Sequence, residues 1–492
     1  MTAIRPTSAC STKRVNTASM SINRSILKLA IPSILANITV PLVGMVDIAI
    51  AGHFDASAAT MIGGIAIGSM LFDLLYWNFG FLRVGTGGLT AQAFGRGQAK
   101  ECSRILARAL GISLACALVL ILIQWLFVKA AFLVVDCSPE VRTLATKYFF
   151  IRIWAAPATL SLMAFKGWFI GMQDSVSPMI TDFVVNGMNV LASIGLALGF
   201  SLGEVRVLPA LGFSGIAWGT VLAQYTGLLS AVLLLTFRYR SRTRLSGSDL
   251  RELFKGDQTR RFFVMNADLF VRSLCFIAIY IGFTVISARY GDVLLAVSSI
   301  MMKLLMIFSY FTDGFAYAGE ALVGRYIGAR DRKMLGQSVK WTFVWSMGLA
   351  VLFMGVYHWA GVPMLRMMTS DAAVIQAAGA FLPWLLLMPP VGCAAFTWDG
   401  IFIGATASKG LRNSMLWAVV AFVAVWGAGI LGLEWLVQKQ TVAPERYDGL
   451  AMHILMAAYF AHLLARTIYL TPYFLRIFRT GFSIERAHRL YP

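Results

Sequence analysis

Apolar positions along this chain do not alternate with polar ones. They run in long unbroken blocks, separated by short polar stretches. Many blocks reach the roughly 20 residues that, wound as a helix, cross the roughly 30 Å of hydrocarbon in a bilayer. Only helices and closed barrels satisfy their backbone in lipid, and barrel strands show a two-residue alternation. The pattern predicts an all-α integral membrane protein with twelve spans. They are placed at 26–51, 58–82, 104–133, 147–171, 176–200, 207–236, 261–288, 293–322, 337–362, 377–403, 412–436 and 449–476.

Sliding the sequence on itself so that Gly167 falls on Gly400 reveals a duplication. Gly-Trp-Phe-Ile-Gly (167–171) then lies on Gly-Ile-Phe-Ile-Gly (400–404), and at the same offset Leu89, Gly95, Lys100 and Pro157 lie on Leu322, Gly328, Lys333 and Pro390. Each half holds six spans, an even number, so both halves insert the same way round. Such repeats are related by an axis along the membrane normal, with a cavity between them. The expected organisation is a disordered tail (1–25), a first lobe of six spans (26–237), a basic linker (238–260), a second lobe of six spans (261–476) and a terminal tail (477–492).

Composition supports the membrane assignment: 58% of residues are hydrophobic, 13% are charged, and the mean hydropathy is +0.73, far from a soluble domain. A net charge of +19 could indicate nucleic acid, but its distribution does not. The basic clusters are Arg96/Lys100/Arg104/Arg108, the Arg238–Arg261 loop, Arg325/Arg330/Arg332/Lys333, Lys409/Arg412 and Arg476/Arg479/Arg486/Arg489; all follow even-numbered spans. The positive-inside rule then places both termini in the cytoplasm, across an inner or plasma membrane. Residues 1–25 contain no acid, which fits a cytoplasmic tail or a transit peptide to an organellar envelope equally well. The six cysteines are scattered, the five histidines form no metal or nucleophile pattern, and there is no Walker loop. These absences argue against an enzyme, a bound metal or a cofactor, and leave an ion gradient as the energy source for uphill transport. The glycine-rich run 85–90 reads as close helix packing rather than a phosphate site.

Ionisable residues inside spans carry the candidate chemistry, because a charge in hydrocarbon is costly and normally faces a polar cavity. Asp47 is the first acid in the chain and the only charge between Ile38 and Ala51; Pro32 and Pro41 precede it on the same span. In the fifth span Asp182, Asn186, Asn189 and Ser193 are spaced four, three and four apart, and so share one helix face. That stripe either glues helices together or joins Asp47 in a proton or cation pocket. Asp73, Asn78, Lys303, Asp313, Glu320 and Asp399 form a second tier in which ion pairing and function are equally open. Lys166 sits near the cytoplasmic end of the fourth span, where it can snorkel.

Asn-Ile-Thr-Val-Pro-Leu-Val-Gly-Met-Val-Asp (37–47), Thr-Ala-Gln-Ala-Phe-Gly (90–95), Asp-Gly-Phe-Ala-Tyr-Ala (313–318) and Asp-Gly-Ile-Phe-Ile-Gly-Ala-Thr (399–406) resemble signatures of the multidrug and toxic compound extrusion (MATE) transporters, specifically their DinF-like branch. The likeness runs from about residue 24 to 480. It implies a V-shaped bundle of two pseudo-symmetric six-helix lobes that exports cationic or amphipathic compounds in exchange for H⁺ or Na⁺. It also implies a first-lobe site at Asp47, with Asn189, Thr220 and Tyr148 around it and Pro32 as the helix-bending residue. The family's usual second aspartate falls here on Ser193, so Asp182 lends the missing charge or the pocket works with one carboxylate. One carboxylate favours H⁺, with a weak Na⁺ site at Asp47 as the alternative. Expected partners are small organic substrates and membrane lipids, without nucleic acid, for a monomer. Competing readings are an organic-anion exporter or a lipid-linked precursor flippase; the flippase is disfavoured because the interior charges of the first half read as mainly acidic.

Overall fold

A computed structural model describes residues 22–52, 58–133, 135, 137–202, 205–208, 210–240, 257–369 and 371–479. The first half comprises α1 (Ile22–Gly52), α2 (Ala58–Trp77), α3 (Phe81–Gly95), α4 (Ala99–Ala131), α5 (Pro139–Arg152), α6 (Ala156–Gly171), α7 (Val176–Leu198) and α8 (Phe213–Tyr239). The second comprises α9 (Asp257–Ser287), α10 (Asp292–Gly328), α11 (Arg332–Met368), α12 (Ala372–Gly379), α13 (Leu382–Gly404), α14 (Ser408–Gln438) and α15 (Tyr447–Arg479). Short 3-10 turns join α2 to α3 and α5 to α6, so each pair reads as one span. Among the described residues, eleven stretches are long and apolar enough to cross a membrane, and the 31-residue α1 packs against α2, α7 and α10.

The duplication is visible in the helix ends. Gly95 and Gly328, Ala99 and Arg332, Pro139 and Ala372, and Gly171 and Gly404 end or begin equivalent helices, each pair at the offset that superposes Gly167 on Gly400. It is visible in packing too. A Cβ on Gly167 would stand 2.1 Å from the Arg83 carbonyl oxygen, and one on Gly400 would stand 2.1 Å from that of Ala316, the equivalent atom. The glycine run 85–90 behaves as read, since Gly88 abuts the Ile403 carbonyl, where a Cβ would lie 2.2 Å away.

Several boundaries differ from expectation. The first helix already begins at Ile22, the second span continues to Gly95 and the eighth to Gly328, because polar helix ends extend beyond the apolar block that marks a span. Between α7 and α8 stands an antiparallel β-hairpin (Phe200–Leu202 with Val205–Leu208), so α8 starts at Phe213 rather than 207. Helix also covers both margins of the predicted linker. Residues 1–21, 241–256 and 480–492, which hold most of the predicted tails and linker, lie outside the described residues.

Side chains that would be buried in a soluble protein face outward here: Leu122, Trp125, Leu126, Trp359 and Ile468 are each 63% exposed or more. Aromatic cores still form inside each half, around Phe72 and Phe149 in the first and Phe308 and Phe353 in the second. Their ring pairs stand 4.7 and 5.3 Å apart.

Candidate functional site

The first-half pocket is built by α1, α5, α7 and α8. Gly215 and Gly219 let α8 press against α7; a Cβ on Gly219 would stand 2.5 Å from the Ser193 nitrogen. That contact brings Asn189 Nδ2 to Thr220 Oγ1 at 3.0 Å. Thr220 Oγ1 and Ser193 Oγ donate to the Ile216 carbonyl at 3.3 and 3.4 Å. Asp47, near the end of α1, is 6% exposed and faces Ser193 and Arg152. Its Oδ1 and the Asn189 Oδ1 have no hydrogen-bond partner among the described residues. A buried polar atom without a partner costs about 1–3 kcal/mol, so two in one pocket need an explanation, and a proton, ion or water supplies one.

Arg152 is the pocket residue that sequence reasoning missed. Its Nη1 donates to Tyr148 Oη at 3.2 Å and to Ser69 Oγ at 3.4 Å, and its guanidinium lies over the Phe72 ring at 4.9 Å. Tyr148 itself is fully buried against Gly68 and Phe213. The only sequence signal for Arg152 was a cation inside a span, shortly after Lys147.

The polar stripe of α7 does not form one pocket. Asp182 pairs with Lys166 Nζ at 2.8 Å. It stands three helical turns, roughly 16 Å, from Ser193. It therefore does not lend its charge to Asp47, and Lys166 does not snorkel; each has the other as a nearer counter-ion. Asn186 donates to Thr39 Oγ1 on α1, a helix-to-helix tie. Only Asn189 and Ser193 of the four reach the Asp47 pocket.

The proline turn of α1 has its own support. Pro32 lacks an N–H, so the Lys28 carbonyl loses its helical donor. Ser175 Oγ, at the start of α7, donates to that carbonyl at 3.1 Å. The same turn places Gln173 at φ +64, and its Nε2 donates to the Ala321 carbonyl of α10 at 2.6 Å.

In the second tier one ion pair crosses between the halves and another cluster lies within the second half. Arg83 on α3 meets Glu320 on α10 at 3.1 Å, with Glu320 fully buried. Asp399 on α13 accepts from both Arg272 and Arg466. Asp313 is half-buried and, with Arg83, Arg272, Tyr317 and Phe396, lines a cavity of about 130 Å³. Asn78 donates to the Leu74 carbonyl of its own helix at 2.7 Å. Asp73 is exposed and faces Arg152 and Lys303. The interior of the first half is therefore not mainly acidic, contrary to expectation: Arg83, Arg152 and Lys166 are half-buried there alongside Asp47, Asp73 and Asp182.

Comparison with known proteins agrees with this architecture. The MatE family model matches residues 32–194 and 269–426. The chain is 34% identical over 416 residues to DNA damage-inducible protein F of Escherichia coli, covering 85% of this chain and 87% of that one. It is 22% identical to a probable multidrug resistance protein NorM of Synechocystis, covering 83% and 86% of the two chains. A solved structure described as the outward-facing conformation of a multidrug resistance MATE family transporter of the MOP superfamily superposes with a TM-score of 0.77 at 14% identity, over 94% of this chain and 97% of that one. With a multi-pass helical bundle, a family match over both halves and a relative 34% identical over most of its length, the chain belongs to the MATE family of efflux transporters, in its DinF-like branch.

Proposed function

We propose that this protein is a secondary active exporter of amphipathic organic compounds, driven by H⁺ entering at Asp47. The observation that carries the reading is the Asp47 carboxyl itself, buried on a helix that contains Pro32 and Pro41, with one oxygen unpartnered among the described residues. Coupling needs one group whose charge can be exchanged. An ionised Asp47 favours substrate in the cleft, and a neutral, protonated Asp47 releases it. Ser193, in place of a second carboxylate, leaves one acid opposite Arg152. A pocket already neutralised in this way has little net charge for Na⁺, which supports H⁺ as the coupling ion.

Proteoliposomes loaded with a fluorescent cation test the reading under an imposed pH gradient and, separately, a Na⁺ gradient. Efflux driven by the pH gradient is expected, and strict dependence on Na⁺ overturns the ion assignment. A second reading is favoured by Arg83, Arg152 and Arg272, which line the interior: export of organic anions. Running a carboxylated dye beside the cationic one decides between substrate classes, and faster loss of the anion selects the second reading.

A further inference from the structure

The start of α11 carries a basic stripe that the transport cycle above does not use. Lys333, Gln337 and Lys340 are spaced four and three apart, and all three are exposed on one helix face. The same face continues through Val344, Met347 and Val351, which are 47, 37 and 61% exposed. The opposite face consists of Ser338, Thr342, Ser346 and Ala350, small buried residues with which α11 packs closely on α10 and α13. One outward stripe thus passes from cations at the helix end to bare aliphatic side chains further in. In a bilayer an outward apolar face is covered by acyl chains, and cations at its end stand at headgroup height.

A cavity of about 520 Å³ lies on the polar end of that stripe, lined by Arg332, Lys333, Gly336, Gln337, Lys340 and Phe478. The Phe478 ring lies against Gly336, and the Arg332 guanidinium sits over it at 4.9 Å. Among the described residues, three cations line this cavity and no carboxylate does. The acid beside it in sequence, Asp331, caps α11 by accepting the Met334 N–H at 3.0 Å.

We propose that this groove binds an acidic phospholipid, with its phosphate held by Arg332, Lys333 and Lys340 and an acyl chain laid along Val344, Met347 and Val351. Charge complementarity selects an anionic headgroup, and the apolar continuation of the stripe selects a lipid over a soluble anion. The chain's own residues 480–492 are a poorer occupant by composition, since they hold Glu485 against Arg486 and Arg489.

The full-length protein is equilibrated with vesicles of phosphatidylcholine, alone or with phosphatidylglycerol added, and retained lipid is read by native mass spectrometry. The wild type is expected to keep phosphatidylglycerol in preference, and the double variant Lys333→Gln/Lys340→Gln to lose about fivefold of that preference per lysine. Lys409→Gln, at another loop of the basic set, is expected to leave it unchanged. An unaltered preference in the double variant overturns the site. Displacement of the lipid by inorganic phosphate reassigns the groove to free anions, and increased lipid retention after truncation at Arg479 reassigns it to the chain's own terminus; either result rejects the proposal.

Discussion

Gly95 and Gly328 press on each other's helices reciprocally across the seam between the two halves. A Cβ on Gly95 would stand 2.0 Å from the Arg325 carbonyl oxygen, and a Cβ on Gly328 would stand 2.2 Å from that of Gln92. Gln92 and Arg325 are themselves equivalent positions of the two repeats, so the contact is one interaction repeated about the pseudo-symmetry axis. Backbone faces backbone at both places, so neither neighbour can move aside without moving a helix.

Gly95→Val and Gly328→Val are therefore each expected to destabilise the protein by about 1–3 kcal/mol, the usual range for overpacking. Gly348→Val, where nothing lies within 4 Å of the added carbon, is the control. Thermal unfolding in detergent reads the difference, and equal melting of all three variants contradicts the reciprocal contact.

Ser175 and Pro32 are predicted to be coupled. Removing the hydroxyl with Ser175→Ala takes away the donor to the Lys28 carbonyl and costs about 0.5–1.5 kcal/mol, the net worth of one hydrogen bond. In Pro32→Ala the restored N–H can take that carbonyl, so Ser175→Ala made in that background is expected to cost much less. A double-mutant cycle on stability gives the answer. Additive effects would show that the serine does not serve the proline-freed carbonyl.

Breaking the Arg83–Glu320 pair by Arg83→Gln leaves a fully buried carboxylate without its partner, which is expected to cost about 3–5 kcal/mol. Adding Glu320→Gln removes the stranded charge, and the double variant is expected to recover most of the loss. Unfolding of the three variants measured side by side checks this, and a double variant no better than Arg83→Gln refutes it.

Asp47→Asn and Asp182→Asn are expected to separate coupling from structure. The first keeps the side-chain shape and removes the exchangeable proton, so gradient-driven efflux falls by more than about tenfold while the protein stays folded. The second leaves Lys166 without its counter-ion and lowers stability, with driven efflux per folded molecule retained. Comparable efflux from both variants, normalised to folded protein, would remove Asp47 from its role.

Much of this protein was legible in its sequence. Apolar blocks marked the spans because burial in lipid is set by local composition over about 20 residues. One constant offset between matching motifs marked the duplication, because helix-end glycines and close-packing glycines must recur wherever the same backbone approach recurs. Asp47, Asn189, Ser193 and Thr220 were singled out by an intramembrane charge, by helical spacing and by family motifs; the structure joins Asn189 to Thr220 and Ser193 and Thr220 to the Ile216 carbonyl, with Asp47 beside Ser193.

Tertiary structure alone decided which charge meets which. Asp182 lay on the same predicted face as Asn189, yet Lys166 claims it. Glu320 is paired with Arg83, far away in the other half of the chain, and Arg152 arrives beside Asp47 from a different helix. The Lys28 carbonyl, freed by Pro32, is satisfied by a serine at the start of α7. Helical periodicity states which way a side chain points, but a counter-ion is selected by the few ångströms separating helices remote in sequence. Coulomb and hydrogen-bond energies depend on those distances.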